Sequence, residues 1–234
     1  TPNRAGLSEA VGAFVVGIML SSLTGGLAAA VVGYHQGRGQ PMPLAVTVFG
    51  LLGLWLGLVG GVVFYSRFRG TGDLREDLGL YFRWPIDAVV GVVVGVGTQL
   101  GLIPLLYLPF ERADPTLHRR LEAPAKADTS AIHGGWQIAV LVLFLAVGAP
   151  IVEELFFRGL LLRSLSRWFG PLAGIAGSAV VFGLAHFELL QLPALIIFGL
   201  ILGALAHKTG RLGPAVVAHA AFNAVTVLTL TLKT

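Results

Sequence analysis

The ionisable residues inside apolar segments of this chain are confined to its C-terminal half, where they form three short motifs. A charged side chain at the centre of a bilayer costs about 2.5 to 3.5 kcal/mol on insertion scales, so such residues mark candidate functional sites. The motifs read Glu-Glu-x-x-x-Arg, Phe-x-x-x-His and His-x-x-x-Asn, and their residues are Glu153, Glu154, Arg158, Phe182, His186, His219 and Asn223. This clustering suggests a single site.

These residue types are the ones needed to add water to a carbonyl group. Histidine transfers protons near neutral pH, a carboxylate in a low-dielectric pocket can act as a base, and an asparagine amide can donate to a developing oxyanion. The alternative is a hydrolytic zinc site with ligands Glu153, His186 and His219. Two features speak against zinc: no helix carries His-Glu-x-x-His, and Asn223 is a weak zinc ligand.

Spacing within the first motif predicts how its side chains point. Glu154 and Arg158 are four residues apart with the acid first, the order that favours an ion pair on a helix. Glu153 projects about 100° away and can face a bundle interior. In the alternative interpretation, all three residues lie at a helix end and reach the lipid headgroups. A lone histidine in an apolar helix is more often a hydrogen-bonded core residue than a catalyst, so the case rests on the motifs together.

The amino-acid composition indicates that the segments carrying these motifs lie in a lipid bilayer and not in water. Of 234 residues, 55% are hydrophobic and 12% charged, about half the roughly 25% charged fraction of soluble domains. This excludes a water-soluble enzyme. The absence of cysteine excludes a disulfide framework, thiolate metal ligands and a cysteine nucleophile. The net charge of +4 comes from basic residues in short loops, which is typical of juxtamembrane segments and not of nucleic-acid binding.

Apolar segments long enough to cross a bilayer predict an all-α, polytopic transmembrane bundle of seven or eight helices with a polar intramembrane cavity. Pro150 should kink the fourth segment without ending it. The polar stretch 111–131 should be a surface loop or an interfacial helix, and it separates N-terminal membrane helices (1–133) from a catalytic core (134–234). The apolar segments are 10–33, 43–65, 88–110, 134–168, 172–187, 192–206 and 214–232.

Basic residues predict the orientation of the bundle and its source. With seven spans, the side of the N-terminus collects 9 basic residues from segments that include 67–83, 163–167 and 208–211, against 6 on the other side. The N-terminus is therefore predicted to lie inside. Arginine outnumbers lysine 13 to 3, which suggests a GC-rich genome and hence a prokaryotic plasma membrane.

The three motifs in this order, each in a hydrophobic segment, resemble the CAAX protease and bacteriocin-processing family, also called the ABI family. The resemblance covers residues 134–232, and all three motifs are intact. The segment Leu74–Leu80 also resembles a loop that often precedes the third span in this family.

The resemblance implies an intramembrane endopeptidase of the CAAX prenyl protease type. Carried over to this sequence, Glu153 and His186 would activate the attacking water, while His219 and Asn223 would stabilise the oxyanion. The supporting residues would be Glu154 and Arg158, together with Phe182, which would shape the pocket wall. The resemblance favours a glutamate-dependent site without a metal or other cofactor.

We therefore expect a membrane protease that cleaves a peptide bond near the membrane surface. Its expected partners are a peptide or protein substrate, which could carry a lipid, and the membrane lipids, but not nucleic acid. One alternative is a non-catalytic scaffold or bacteriocin-immunity protein that binds a peptide in the same cavity. Another is a transporter whose glutamate and histidines relay protons; the absence of an inverted repeat and of charge in the first three spans speaks against it.

Overall fold

Long apolar runs in lipid fold as helices because each backbone N–H and C=O must find its partner within the segment. The computed structural model describes residues 6–35, 42–129 and 134–231, and these residues form helices joined by short turns. The helices in this part of the chain are α1 (Leu7–Val32), α2 (Leu44–Arg69), α3 (Leu74–Leu78), α4 (Ile86–Ala113), α5 (Leu117–Thr129), α6 (Gly135–Phe169), α7 (Pro171–Leu184), α8 (Leu192–Thr209) and α9 (Gly213–Thr231).

Five of these helices, α1, α2, α4, α6 and α8, are long and apolar enough to cross a membrane. The apolar helices α7 and α9 are shorter. Large apolar side chains such as Met19, Leu27, Val93 and Leu105 point outward and are exposed, as lipid-facing side chains should be. The predicted all-helical class is confirmed for the described residues, and the apolar helices support an integral membrane protein. The number of seven or eight spans and the prokaryotic plasma membrane stay predictions.

The fourth predicted segment is one continuous helix, α6, and does not break at Pro150. A π-helical turn, Val142–Gly148, directly precedes the proline, and such a wider turn accommodates the missing N–H without ending the helix. The polar stretch after α4 contains the helix α5, one of the two forms expected for it. The predicted domain boundary at residue 133 lies outside the described residues.

Glycines let the first two helices approach closely. Gly53, Gly57 and Gly61 repeat every four residues along α2, the spacing that brings transmembrane helices together. A Cβ atom at Gly57 would collide with the backbone of Gly17 on α1, and one at Gly61 with Ala13. The two helices are therefore held by backbone contact along one shared face.

Helix α6 lies at the centre of the bundle and carries the first motif. Phe156 and Leu160 on this helix are buried, and the ring of Phe14 from α1 stacks on Phe156 at 6.0 Å between centroids. On the other side, Gly199 of α8 packs against Ala179 of α7. The motif residues are thus surrounded by helices from both halves of the chain.

One end of the bundle gathers the basic segments that the sequence assigns to the side of the N-terminus. Gly170, with φ 86°, is the single residue between α6 and α7, and this left-handed region favours glycine. Asp87 at the start of α4 is 1% exposed and accepts two hydrogen bonds from Arg211, at 2.7 and 3.1 Å. Arg163 donates to the Gly210 carbonyl at 3.2 Å. We call this face the basic end.

Candidate active site

The two glutamates of the first motif lie on α6 between two π-helical segments. The segment Val142–Gly148 precedes them, and Leu155–Leu162 begins directly after Glu154. π-Turns interrupt the regular helix and are frequent at functional sites. Glu154 and Arg158 are fully buried, so these residues do not lie at a helix end reaching for headgroups.

Glu154 joins the first motif to the third. Its Oε1 accepts a hydrogen bond from Arg158 Nη1 at 2.8 Å, which is the predicted ion pair, and lies 2.9 Å from His219 Nδ1. Because this oxygen accepts from Arg158, it also acts as the acceptor toward His219, and the Nδ1 proton belongs to His219. Arg158 Nη2 also donates to the Gly199 carbonyl at 3.3 Å. A buried carboxylate therefore sets the tautomer and the orientation of His219.

Glu153 lies beside the same histidine but has no hydrogen bond to it. Its Oε2 is buried and has no hydrogen-bond partner, and His219 Nε2 lies 3.8 Å away. The side chain is 17% exposed, so it is reachable from outside the bundle. A buried carboxylate oxygen without a partner is costly unless a water, substrate or ion completes it.

His186 lies beyond the end of its helix, which corrects the prediction of an apolar helix through residue 187. Helix α7 ends at Leu184, and His186 sits in the following turn as an exposed residue. Its Nδ1 lies 2.7 Å from the Phe182 carbonyl; since a carbonyl only accepts, Nδ1 carries the proton and Nε2 is the basic atom. The next residue, Phe187, has φ 56°, so the chain turns in a conformation that bulky side chains rarely adopt.

Asn223 follows His219 by one helical turn, as predicted, but its amide is partly engaged. Nδ2 donates to the Leu145 carbonyl in the π-helical segment of α6 at 2.8 Å. In this segment the Ala149 N–H bonds the Phe144 carbonyl five residues back, and by the same spacing the Leu145 carbonyl would face Pro150, which has no N–H. The amide nitrogen has a second proton that this bond does not use.

Aromatic rings connect the two histidines. The ring of Phe182 contacts His186 and His219, with centroids 4.7 and 5.6 Å apart, and the Arg158 guanidinium carbon lies 4.5 Å from its centroid. The ring of Phe198 lies edge-on to His219 at 5.5 Å. Phe182 therefore forms a wall between the histidines. Neither Phe198 nor the Gly199 carbonyl was predicted from the sequence, because a phenylalanine and a glycine in an apolar helix carry no signal beyond packing.

As placed, Glu153, His186 and His219 do not form the three-ligand set of the zinc alternative. Within the described part of the chain, no three His, Asp or Glu side chains are grouped closely enough to hold a metal ion. Glu153 and His219 face each other, whereas the described ring contacts of His186 are to Phe182. The contact of His219 Nδ1 with Glu154 leaves Nε2 as the nitrogen of this ring that could bind a metal.

Comparison with known proteins identifies the segment that carries the motifs. Residues 135–225 match the family model described as type II CAAX prenyl endopeptidase, Rce1-like. No curated protein and no solved structure matches the chain. The matched segment contains all three motifs, and the resemblance inferred from them is confirmed.

Proposed function

Since residues 135–225 match the family model described as type II CAAX prenyl endopeptidase, Rce1-like, we propose that the chain is an intramembrane endopeptidase whose water nucleophile is activated by Glu153 with the help of His186. The substrate is a peptide that reaches the bundle from the membrane surface, and a lipid attached to it would lie in the bilayer. Glu154 and Arg158 position the site but do not touch the substrate.

In the proposed reaction, Glu153 removes a proton from a water held beside its Oε2. The resulting hydroxide attacks the peptide carbonyl carbon, and the carbonyl electron pair moves to oxygen. When the tetrahedral intermediate collapses, the C–N bond breaks and the amine leaves with the proton that Glu153 accepted. His186 Nε2, the basic atom of that ring, shares this proton transfer.

The oxyanion is assigned to His219 and Asn223. His219 donates from Nε2 when both ring nitrogens are protonated, and the Glu154 carboxylate 2.9 Å from Nδ1 stabilises that positive charge, as a buried acid does for a catalytic histidine. Asn223 donates to the oxyanion with the second Nδ2 proton, which is not used in its hydrogen bond to the Leu145 carbonyl. Donors of this kind are worth about 2.7 to 4 kcal/mol each in transition-state stabilisation.

The observation that carries the proposal is the buried, unpartnered Oε2 of Glu153, which lies 3.8 Å from His219 Nε2. A water or substrate oxygen placed beside both atoms would satisfy each of them. Glu154, its neighbour in sequence, also has a buried Oε2 without a partner, but its side chain is fully buried and its Oε1 is committed to Arg158 and His219, whereas the Glu153 side chain is 17% exposed. Position in the network therefore favours Glu153 as the base and Glu154 as support.

The test is cleavage of a quenched, prenylated CAAX-type peptide by detergent-purified protein, with and without EDTA or phenanthroline. Wild type is compared with Glu153→Gln and His186→Ala, and with Glu76→Gln as a matched control, because Glu76 is exposed on the surface helix α3. A peptide of the same sequence without the prenyl group measures whether the lipid is recognised.

Cleavage that survives chelation, persists in the Glu76 variant and disappears in the Glu153 variant is the expected result. Cleavage that a chelator abolishes and zinc restores would contradict the metal-free site and would require Glu153, His186 and His219 to converge on a metal. Full activity in both the Glu153 and the His186 variants would overturn the assignment.

A further inference from the structure

A cavity lies at the basic end, where α6 meets α8. It has a volume of about 290 Å³, and because a water occupies about 30 Å³ in the liquid, it has room for a polyatomic ion. None of the described residues that line it is acidic. Those that carry the argument are Arg158, Arg163, Ser166 and Arg167.

Two of the lining cations lie one helical turn apart on the same face of α6. Arg163 and Arg167 have the i, i+4 spacing at which like charges repel. Arg163 donates to the Gly210 carbonyl at 3.2 Å, and a guanidinium has five N–H donors, so donors remain for a ligand. Asp77, an acid of the same end, is engaged by the Ser66 hydroxyl at 2.5 Å and by the Thr71 N–H at 2.9 Å.

Two buried polar atoms of the lining residues have no hydrogen-bond partner. They are the Oγ of Ser166 and the Nε of Arg158, and the Arg158 side chain, which also lines the cavity, is fully buried. Buried polar atoms are nearly always satisfied in folded proteins, so an orphaned donor beside a cavity indicates a missing partner. Both atoms can donate, which an anion would accept.

We propose that this cavity binds a phosphate group, held by Arg163 and Arg167 and reached by the Ser166 hydroxyl. Guanidinium groups match phosphate oxygens in geometry and charge. The phosphate could belong to an anionic lipid headgroup, since basic pockets between transmembrane helices bind such headgroups, or to free phosphate. The site shares Arg158 with the proposed active site, but the proposal does not rest on protease activity and its test measures binding alone.

The experiment follows thermal unfolding of the full chain. In detergent, inorganic phosphate is titrated at constant ionic strength; in parallel, nanodiscs of phosphatidylglycerol are compared with nanodiscs of phosphatidylcholine. Wild type is compared with the double variant Arg163→Gln/Arg167→Gln. The matched control is Arg67→Gln/Arg75→Gln, which removes the same charge from exposed positions of the same end.

A ligand that binds only the folded state raises Tm in a saturating manner. A saturating rise with inorganic phosphate in wild type and in the control, but not in the Arg163/Arg167 variant, identifies free phosphate as a ligand. A rise confined to phosphatidylglycerol nanodiscs with the same variant dependence identifies a lipid headgroup. No rise in either medium, or an equal rise in the Arg163/Arg167 variant, overturns the proposal.

A second variant keeps the test decisive if the double variant does not fold. Ser166→Ala removes an unpaired hydroxyl, so the protein without ligand should be at least as stable as wild type. Its apparent Kd for phosphate, or for phosphatidylglycerol, should rise about fivefold, the equivalent of one lost hydrogen bond. Wild-type affinity in this variant would overturn the assignment of Ser166 and, with an unfolded double variant, the proposed site.

Discussion

The same substitution, glutamate to glutamine, should lower the stability of the protein much more at Glu154 than at the adjacent Glu153. Glu154 has no exposed surface and is in contact with Arg158 at 2.8 Å and His219 at 2.9 Å. Glu154→Gln leaves the buried Arg158 without its counter-charge. Breaking a buried ion pair by removing one partner costs about 3 to 5 kcal/mol.

Glu153→Gln should cost far less, although it should abolish cleavage. The Glu153 side chain is 17% exposed, and its Oε2 accepts no hydrogen bond, so a neutral amide loses no strong partner and removes a buried charge. We expect a change within about 1 kcal/mol. Glu153→Gln is therefore the isosteric control for Glu154→Gln.

The assay is thermal unfolding in detergent, followed by intrinsic fluorescence. For a chain of this length, 1 kcal/mol corresponds to about 2 to 4 °C in Tm, so Glu154→Gln should melt about 6 to 20 °C lower than wild type. Adding Arg158→Gln to it should cost less than the two single changes summed, because the orphaned charge is removed. Equal melting temperatures for the Glu153 and Glu154 variants would refute the assigned network.

Three further substitutions test individual contacts of the fold: the approach of α1 to α2, the ion pair at the basic end, and the buried Arg158. Gly57→Val should disrupt the contact of α1 with α2 and lower Tm. The control Gly60→Val, where a Cβ meets no atom within 4 Å, should leave Tm unchanged. Equal Tm values for the two variants would contradict the close approach of the helices. Asp87→Asn should lower the free energy of unfolding by about 1.5 to 3 kcal/mol, the range for a charged hydrogen bond, because it breaks the two-point contact with Arg211. A denaturant unfolding curve that matches wild type would exclude that contact. Arg158→Lys should lower Tm although it keeps the positive charge, since an ammonium does not reproduce the planar fork of the guanidinium. A wild-type Tm would show that charge alone suffices.

Much of the architecture could be predicted because transfer into lipid depends on local composition. A segment of about 20 apolar residues favours a membrane helix wherever it lies in the chain, and the observed bounds of α1, α2, α4, α6 and α8 follow those segments. The Glu154–Arg158 pair was predictable for the same reason, since both residues lie on one helix. The end of α7 before His186 was not, because residues through 187 remain apolar enough to continue a helix.

The composition of the site and the order of its motifs are properties of the sequence alone. Which side chains meet was decided by the tertiary structure: His219 pairs with Glu154 across 65 residues of sequence, and Arg211 with Asp87 across 124. Local periodicity sets which face of a helix a side chain occupies, but not the rotation and depth of that helix against its neighbours. Those are set where small residues such as Gly91 and Gly95 of α4 meet α9, since close contact permits only one alignment of the two helices.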